Sequence, residues 1–393
     1  MTVADPSSML PLVPAAATAG PPACIKTGTR LVYFGMTANI PGEDKQLVQD
    51  DNGRWVDRQT GQRYAEEDIA GAAAGGFTVL QVGYVDRDVA VIGTKFYTLD
   101  ARTKKCTFAL GSGMVTHAGC AADYWIHPEV LRTLQEVNEG GIHILRMPYT
   151  LGSKQYSAIR IQSEDISGYQ AHVYDLETGL LIFHASRAQG KTVNTAPLGG
   201  AGQAGTGQGS TQVVVGWIAG IKDVNVPWQN MAVPPWVGEF KQLEYGGAQT
   251  SDVPAARSRF SRRMTVSVAP VARGPNWVRT SSTFTIESIA GMPPEQARQE
   301  GACGVASVGG LWIAPAGLAQ LRRGQVVETD QFVGTTTTVS RADDRSVTLT
   351  EAGPLHRIDC TYDTSSGILV MMHVEQQFGL ATITHDMRLT DRR

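Results

Sequence analysis

The sequence predicts a mainly β protein with a minor α+β character: a tandem duplication of one curved antiparallel sheet unit that holds one short helix. The composition favours strands. Charged residues make up 18% of the 393 residues, below the roughly 25% that is typical of soluble proteins, and Gly occurs 43 times. A chain of this length suits two average cores better than one. Two repeated blocks and a repeated first strand indicate the duplication itself.

The first repeated block predicts the helix. Residues 125–134 (WIHPEVLRTL) and 312–321 (WIAPAGLAQL) share Trp, Ile, Pro and both Leu at an offset of 187 residues. Pro is tolerated in a first helical turn, and Leu residues at i and i+3 fall on one helix face. The same offset aligns Thr78 with Thr265 in a preceding strand.

The second repeated block predicts a hairpin. Residues 174–181 (YDLETGLL) and 362–369 (YDTSSGIL) share Tyr, Asp, Gly and the last Leu at an offset of 188 residues. The Gly suits a turn position with positive φ. Asp before a tight turn usually accepts hydrogen bonds from its own backbone. We therefore interpret Asp175 and Asp363 as turn residues rather than as the paired carboxylates of a glycosidase.

The first strands of the copies also match, because residues 31–35 (LVYFG) align with 243–247 (LEYGG) at an offset of 212. Copy one must therefore carry an insertion between Gly35 and Phe77. Two Gly-containing segments within it, residues 51–54 and 58–61, are typical of turns between short strands.

The order of strand, helix and Tyr-Asp-x-x-x-Gly-x-Leu hairpin is loosely similar to the half-barrels of periplasmic lipoprotein carriers. The similarity covers one hairpin in each copy, and no residue role is carried over from it.

These patterns divide the chain into four parts. Residues 1–24 are predicted to be a disordered lead-in, 25–222 copy one, 223–240 a linker rich in Pro and Trp, and 241–393 copy two. The lead-in has no basic segment of the kind that opens a signal peptide. No stretch reaches the roughly 20 apolar residues of a membrane span.

The five cysteines allow two disulfides, Cys106 with Cys120 and Cys303 with Cys360, and leave Cys24 unpaired. Disulfides would indicate an oxidising compartment. The alternative is that all five are buried thiols. No C-x-x-C pair is present, which argues against a zinc ribbon or a thioredoxin-type site.

Other motifs do not indicate a specific activity. Residues 200–205 match G-x-G-x-x-G, but a strand-like segment follows where a dinucleotide site needs a helix. Ser307 has small neighbours without the register of a nucleophile elbow. A formal net charge of −3 gives no general attraction to nucleic acid.

Two sets of residues are candidate sites. His172 and His184 flank the copy-one hairpin and align with Cys360 and Met372, and all four side chains can bind a soft or borderline metal. Alternation along the strands would place the two histidines on opposite faces. The aromatic residues of and near the linker could form a ligand platform, or could instead pack the domains together; they are Trp217, Trp228 and Trp236.

The leading hypothesis is a non-catalytic binding or carrier protein that is extracytoplasmic, either periplasmic or secreted. Its ligand would be apolar or polymeric: a small molecule, a lipid or a glycan. Under this hypothesis no cofactor is expected; copper or zinc is the alternative. A second hypothesis is an enzyme, a hydrolase or a metal-dependent oxidase, with its site in one copy. A third is a surface-assembly protein that self-associates through sheet edges. No nucleic-acid partner is expected. Since the copies differ at almost every chemically active residue, function is predicted to lie where they disagree.

Overall fold

The computed structural model describes residues 9–40, 47–49, 55–57, 63–64, 74–100, 102–165, 168–189, 211–233, 236, 241–253, 256–267, 274–287, 295–303 and 310–393. The chain is mainly β, with 64% strand and 5% helix, and it forms two large antiparallel sheets, as the sequence predicts. None of the helices in the described part of the chain is long and apolar enough to cross a membrane.

Copy one begins with a short 3-10 helix, Pro14–Ala17, and has one α-helix, Pro128–Thr133. Its strands are β1 (Thr29–Ile40), β2 (Leu47–Gln49), β3 (Trp55–Asp57), β4 (Arg63–Tyr64), β5 (Ala74–Val85), β6 (Val89–Leu99), β7 (Cys106–His117), β8 (Cys120–Ala121), β9 (Trp125–Ile126), β10 (Val137–Glu139), β11 (Ile142–Leu151), β12 (Lys154–Asp165), β13 (Gly168–Asp175), β14 (Leu181–Gln189) and β15 (Thr211–Asp223). Strands β2, β3 and β4 pair with each other in a small sheet within the predicted insertion, whose turns lie outside the described residues.

Copy two has one α-helix, Pro315–Leu318. Its strands are β16 (Gln242–Val253), β17 (Ala256–Ser267), β18 (Val278–Glu287), β19 (Glu295–Cys303), β20 (Val326–Asp330), β21 (Thr335–Ala342), β22 (Ser346–Ala352), β23 (His356–Asp363), β24 (Leu369–Phe378) and β25 (Ala381–Arg392).

The strand order of the two large sheets is the same. The first runs β10-β11-β12-β13-β14-β15-β1-β5-β6-β7 and ends in the short strands β8 and β9, and the second runs β20-β21-β22-β23-β24-β25-β16-β17-β18-β19. The pairing corrects one sequence alignment. Tyr33 pairs with Thr78 and the equivalent Tyr245 pairs with Met264, so the counterpart of Thr78 is Met264 and not Thr265.

One face of each sheet packs against the helix of its copy, and we call it the inner face. In copy one, the alternate residues Leu31 and Tyr33 of β1 join helix residue Leu131 in the largest buried cluster. The helix begins where predicted, with Pro128 in its first turn. The hairpin Gly179 has φ +76°, and a Cβ there would lie 2.1 Å from the Ile126 carbonyl oxygen, so this close approach requires glycine.

The predicted turn roles of the repeated aspartates are confirmed. Asp175 accepts hydrogen bonds from the backbone N–H groups of Glu177 and Thr178, and Asp363 accepts one from Ser366. Their carboxylates therefore stabilise the two hairpin turns.

The predicted disordered lead-in is wrong for residues 9–24. Met9, Val13 and Ala16 are buried in the core of copy one, and the Met9 N–H donates to Asp123 Oδ1 over 3.1 Å. Apolar residues in a Pro/Ala-rich stretch can either cover an open sheet edge or remain solvated. Composition alone does not distinguish these two outcomes.

The disulfide between Cys106 and Cys120 is also wrong, since Cys24, Cys106, Cys120 and Cys360 are all free thiols. Cys106 begins β7, whereas Cys120 pairs with His117 at its other end. Eleven residues of extended strand separate the sulfur atoms by roughly 35 Å. The disulfide between Cys303 and Cys360 is wrong as well, because Cys360 is a free thiol buried in the core of copy two. The side chain of Cys303 lies outside the described residues.

The two copies contact each other through buried polar side chains. Arg30 of copy one pairs with Asp330 and Glu328, and Lys95 pairs with Glu351. Glu351 belongs to the inner face of copy two, because it alternates with Val347 and Leu349 of that core. Strands β6 and β7 of copy one therefore cover part of the inner face of copy two.

Candidate functional site

The inner faces of both copies begin with the same tyrosine layer. The hydroxyl groups of Tyr33 and Tyr174 donate to the carbonyl oxygens of Tyr124 and Asp123 over 3.2 and 3.0 Å. The equivalent hydroxyl groups in copy two also donate to backbone carbonyls; they belong to Tyr245 and Tyr362. The shared tyrosines therefore support the scaffold, and chemical differences between the copies must come from the residues beyond this layer.

Two histidines lie next to the tyrosine layer in copy one. His172 of β13 and His184 of β14 are direct cross-strand partners, and their ring centroids are 4.6 Å apart. The prediction that they occupy opposite faces is wrong because a β-bulge lies between them and the turn. Val173 pairs with Phe183 and Tyr174 with Leu181, which leaves one extra residue on β14 and reverses the alternation.

Copy two has a bulge at the equivalent place, between Thr361 and Tyr362, and there Cys360 faces Met372. The sequence alignment of His172 with Cys360 and of His184 with Met372 therefore corresponds to the same positions in the two sheets. The bulge belongs to the shared scaffold, and only the side chains have changed.

Both imidazoles are neutral at neutral pH. Burial lowers the pKa of His172 to about 4. Burial, followed by the neighbouring His172, lowers the pKa of His184 to about 3, although Asp123 opposes the shift. His172 Nε2 lies 3.9 Å from Asp123 Oδ2, which is too far for a hydrogen bond.

Five buried polar atoms of this inner face have no hydrogen-bond partner in the described structure; they are His172 Nδ1, His184 Nδ1, Ser186 Oγ, Thr78 Oγ1 and Thr94 Oγ1. The side chains of these residues are between 1% and 7% exposed. Ser186 follows His184 by two residues, and Thr78 and Thr94 alternate with the core residues Leu80 and Ile92, so all five share the inner face. Buried polar groups are nearly always paired, so five on one face need an explanation.

A row of glycines crosses the sheet beside the histidines. His184 pairs with Gly216, Gly216 with Gly35 and Gly35 with Gly76, in one row across four strands. Three strand spacings separate β14 from β5, a distance of about 14 Å. Glycine inside a strand often marks a place where a ligand or another backbone approaches closely.

Copy two has apolar side chains at three of the positions in this region. The cross-strand pairing places Met387 at the position of Gly216, Met264 at that of Thr78, and Val374 at that of Ser186. All three are buried in copy two. At these three positions copy one has a small or polar residue where its duplicate has a buried apolar one, whereas Thr94 corresponds to another hydroxyl residue, Ser282.

A prediction about stability follows from the unpartnered hydroxyl groups. We expect Thr78→Val and Ser186→Val each to raise the free energy of unfolding by about 1 kcal/mol, because each removes a buried polar group without a partner. Thr107→Val is the matched control and should lower it by about 1 kcal/mol, since the Thr107 hydroxyl donates to the Gln377 carbonyl over 2.8 Å. Urea denaturation measures all three, and destabilisation by Thr78→Val would show that its hydroxyl is already satisfied.

Among the described residues, His172 and His184 belong to no larger group of metal ligands. No group of three or more His, Cys, Asp or Glu residues in the described part of the chain is arranged to hold one. Copper or zinc at His172 and His184 thus stays a prediction from the sequence.

The three tryptophans do not form one platform. Trp228 and Trp236 are buried in separate clusters of copy two, and Trp236 Nε1 donates to the Ser366 carbonyl over 2.6 Å. The linker therefore packs onto copy two, and neither ring offers a face to a ligand. Trp217 is half-buried on the outer face of copy one, 5.1 Å from the ring of Phe34.

A half-open crevice of about 500 Å³ lies at the junction of the copies, and Leu99, Gln249, Phe378 and His385 contribute to its wall. Several of its polar side chains already have partners. Gln376 donates to the Phe108 carbonyl over 2.5 Å, and its oxygen lies 3.1 Å from His385 Nε2. Among the described residues, the crevice therefore offers fewer unpaired buried polar atoms to a ligand than the inner face of copy one does.

No family model matches the chain, and neither does any curated protein. Among solved structures, the chain is similar to MucB in complex with MucA(peri), at 8% identity and a TM-score of 0.20 over 92% of this chain and 89% of that one. It is also similar to a double mutant of the vaccine antigen transferrin binding protein B from Haemophilus parasuis Hp5 (6% identity, TM-score 0.16, 95% and 78% covered). Intact Ap-TbpB matches at 7% identity and a TM-score of 0.15, with 95% and 79% covered. Similarity at this level carries no argument about function.

Proposed function

We propose that the chain is a non-catalytic, extracytoplasmic binding protein that holds its ligand against the inner face of copy one. The observation that carries the proposal is the set of five buried, unpartnered polar atoms around a row of glycines. An unpaired buried polar group costs about 1–3 kcal/mol, so a ligand that pairs with several of them gains this free energy on binding. The extracytoplasmic location rests on the strand-rich, low-charge composition.

Binding explains this face better than catalysis does. An efficient general base has a pKa near the working pH, whereas burial holds the pKa of His172 at about 4 and that of His184 at about 3. Both rings are then poor bases, but each still offers an uncharged nitrogen for a hydrogen bond. The duplicate supports the same conclusion, because copy two keeps the scaffold and replaces four of the five polar residues, with Cys360, Met372, Val374 and Met264.

The proposal predicts that Gly216→Met abolishes ligand binding without unfolding the protein. Copy two carries Met387 at this position, so the scaffold accepts the side chain, which would occupy the row of glycines. The control is Ile221→Met on the same strand, where the side chain is 47% exposed.

The measurement is native mass spectrometry of the full chain purified from its source, followed by denaturation to release bound molecules. We expect a stoichiometric small molecule on the wild type and on Ile221→Met, and none on Gly216→Met. A chain that carries only water, or a ligand that Gly216→Met retains, would contradict the proposal.

A further inference from the structure

We propose that the ligand of this inner face is an uncharged, hydroxyl-rich molecule of the short-oligosaccharide class, rather than a lipid chain or a charged metabolite. This inference rests on the proposed function and deepens it. It follows from the charge, the hydrogen-bonding capacity and the shape of the residues between the histidines and the threonines.

The described inner-face side chains near the five unpartnered atoms are uncharged. On β13, β14, β15, β1, β5 and β6 they include Gln170, His172, His184, Ser186, Val214, Ile218, Tyr33, Thr37, Thr78, Thr94 and Phe96. A charged ligand group would be buried here without a counter-ion, which is costly. Asp123 is the nearby carboxylate, but it lies on the Nε2 side of His172, whereas the unpartnered atom is Nδ1.

The arginine and lysine side chains of copy one that are buried near this sheet have partners elsewhere. Arg30 and Lys95 pair with Asp330 and Glu351 at the junction with copy two. They are not available to bind an anion on the inner face.

The hydrogen-bonding capacity of this face favours a polar ligand over a purely apolar one. A hydrocarbon chain would leave all five atoms buried and unpaired, so it would gain no free energy from them. Serine and threonine hydroxyls can both donate and accept, and a neutral imidazole nitrogen does one or the other according to its tautomer. Sugar hydroxyls have the same dual character, so they can pair with each of the five atoms.

The shape of the site fits a flat, elongated molecule. Gly216, Gly35 and Gly76 carry no side chains, so a ring-shaped ligand bound along this row would lie directly against their peptide planes. The row begins at His184 on β14 and ends at Gly76 on β5, where Thr78 lies two residues further along the strand, so the histidine and Thr78 are separated by about 14 Å across the sheet. A single small group could reach one end only, whereas a short oligosaccharide spans both.

The experiment titrates the full chain with three classes of probe, each followed by the imidazole NMR signals of His172 and His184. The first is a set of uncharged trisaccharides (maltotriose, cellotriose and N-acetylated chitotriose), the second is trigalacturonate as the charged analogue, and the third is laurate. We expect at least one uncharged trisaccharide to bind saturably and to shift both imidazole signals, and the charged and fatty probes to bind at least tenfold more weakly.

Two variants test whether the ligand spans the site. Ser186→Val at the histidine end and Thr78→Val at the threonine end should each weaken trisaccharide binding at least tenfold. Thr348→Val, which lies in a groove of copy two, is the control and should leave binding unchanged. Both site variants are expected to fold, because copy two carries Val374 and Met264 at these positions.

The outcomes separate the two proposals. Binding of laurate or trigalacturonate in preference to every uncharged sugar would overturn the ligand class but keep a binding site on the inner face. Loss of binding in only one of the two variants would overturn the spanning geometry. If no probe shifts the imidazole signals and the purified chain carries no ligand, both the ligand class and the proposed function are wrong.

Discussion

Acidification from about pH 6.5 to pH 4 will lower the free energy of unfolding steeply, and His172 and His184 will account for most of this slope. Both histidines have a folded-state pKa below the unfolded value of about 6.5. Between the two pKa values the unfolded chain binds protons that the folded chain does not, so stability rises with pH. Their contribution is fully present above about pH 6.5 and is lost as the pH falls towards about 4.

The size of this effect is about 1.4 kcal/mol for each pH unit and each histidine, or up to about 3 kcal/mol per unit for the pair. Urea denaturation at half-unit steps from pH 4 to pH 7.5 measures it. The matched variant His172→Cys/His184→Met carries the side chains of copy two and should remove most of the slope. An equally steep slope in that variant would show that other groups cause it.

Replacement of Glu351 by Ala will destabilise the protein by about 3–5 kcal/mol, because it leaves a buried charge without its partner. Glu351 pairs with Lys95, accepts a hydrogen bond from the Tyr97 hydroxyl over 2.9 Å and lies 3.6 Å from His356 Nε2. Burial alone would raise the pKa of the Glu351 carboxyl, but Lys95 and His356 outweigh it and hold the pKa well below its usual range. The Glu351 contribution is therefore present above the unfolded pKa, about 4.3, and is lost as the pH falls below it.

Chemical denaturation of Glu351→Ala measures this loss, with Asp391→Ala on the exposed surface as a control that should leave stability nearly unchanged. The double variant Lys95→Met/Glu351→Leu should recover most of the loss, since apolar replacement of both partners of a buried pair is often neutral. A loss below about 1 kcal/mol in Glu351→Ala would show that the junction of the copies does not depend on this pair.

Local sequence patterns were sufficient for the scaffold. The block at residues 125–134 predicts the helix because Pro and the spaced Leu residues act within one turn, and the hairpin residues Asp175 and Gly179 act within four residues of each other. The same patterns repeat in copy two, so the duplication supplied an internal check on each of them.

The sequence did not predict the features that depend on contacts between residues distant in the chain. A strand alignment by sequence offset placed Thr265 at the position of Thr78, and only the pairing with tyrosine identified Met264 instead. The side chains of Thr78, Thr94 and Ser186 carried no motif, and their role became visible only as buried groups without partners. Burial and pairing are properties of the folded chain, so composition and spacing do not report them.

The sequence alone identifies a duplicated β scaffold whose copies differ at their chemically active residues. The positions where those differences meet follow from the folded structure. One extra residue on β14 brings His172 opposite His184, and strands β15, β1 and β5 continue from His184 with a row of glycines that ends at Gly76, two residues from Thr78. A bulge moves every following side chain to the other face of the sheet, and its position depends on cross-strand pairing rather than on the residues of one strand.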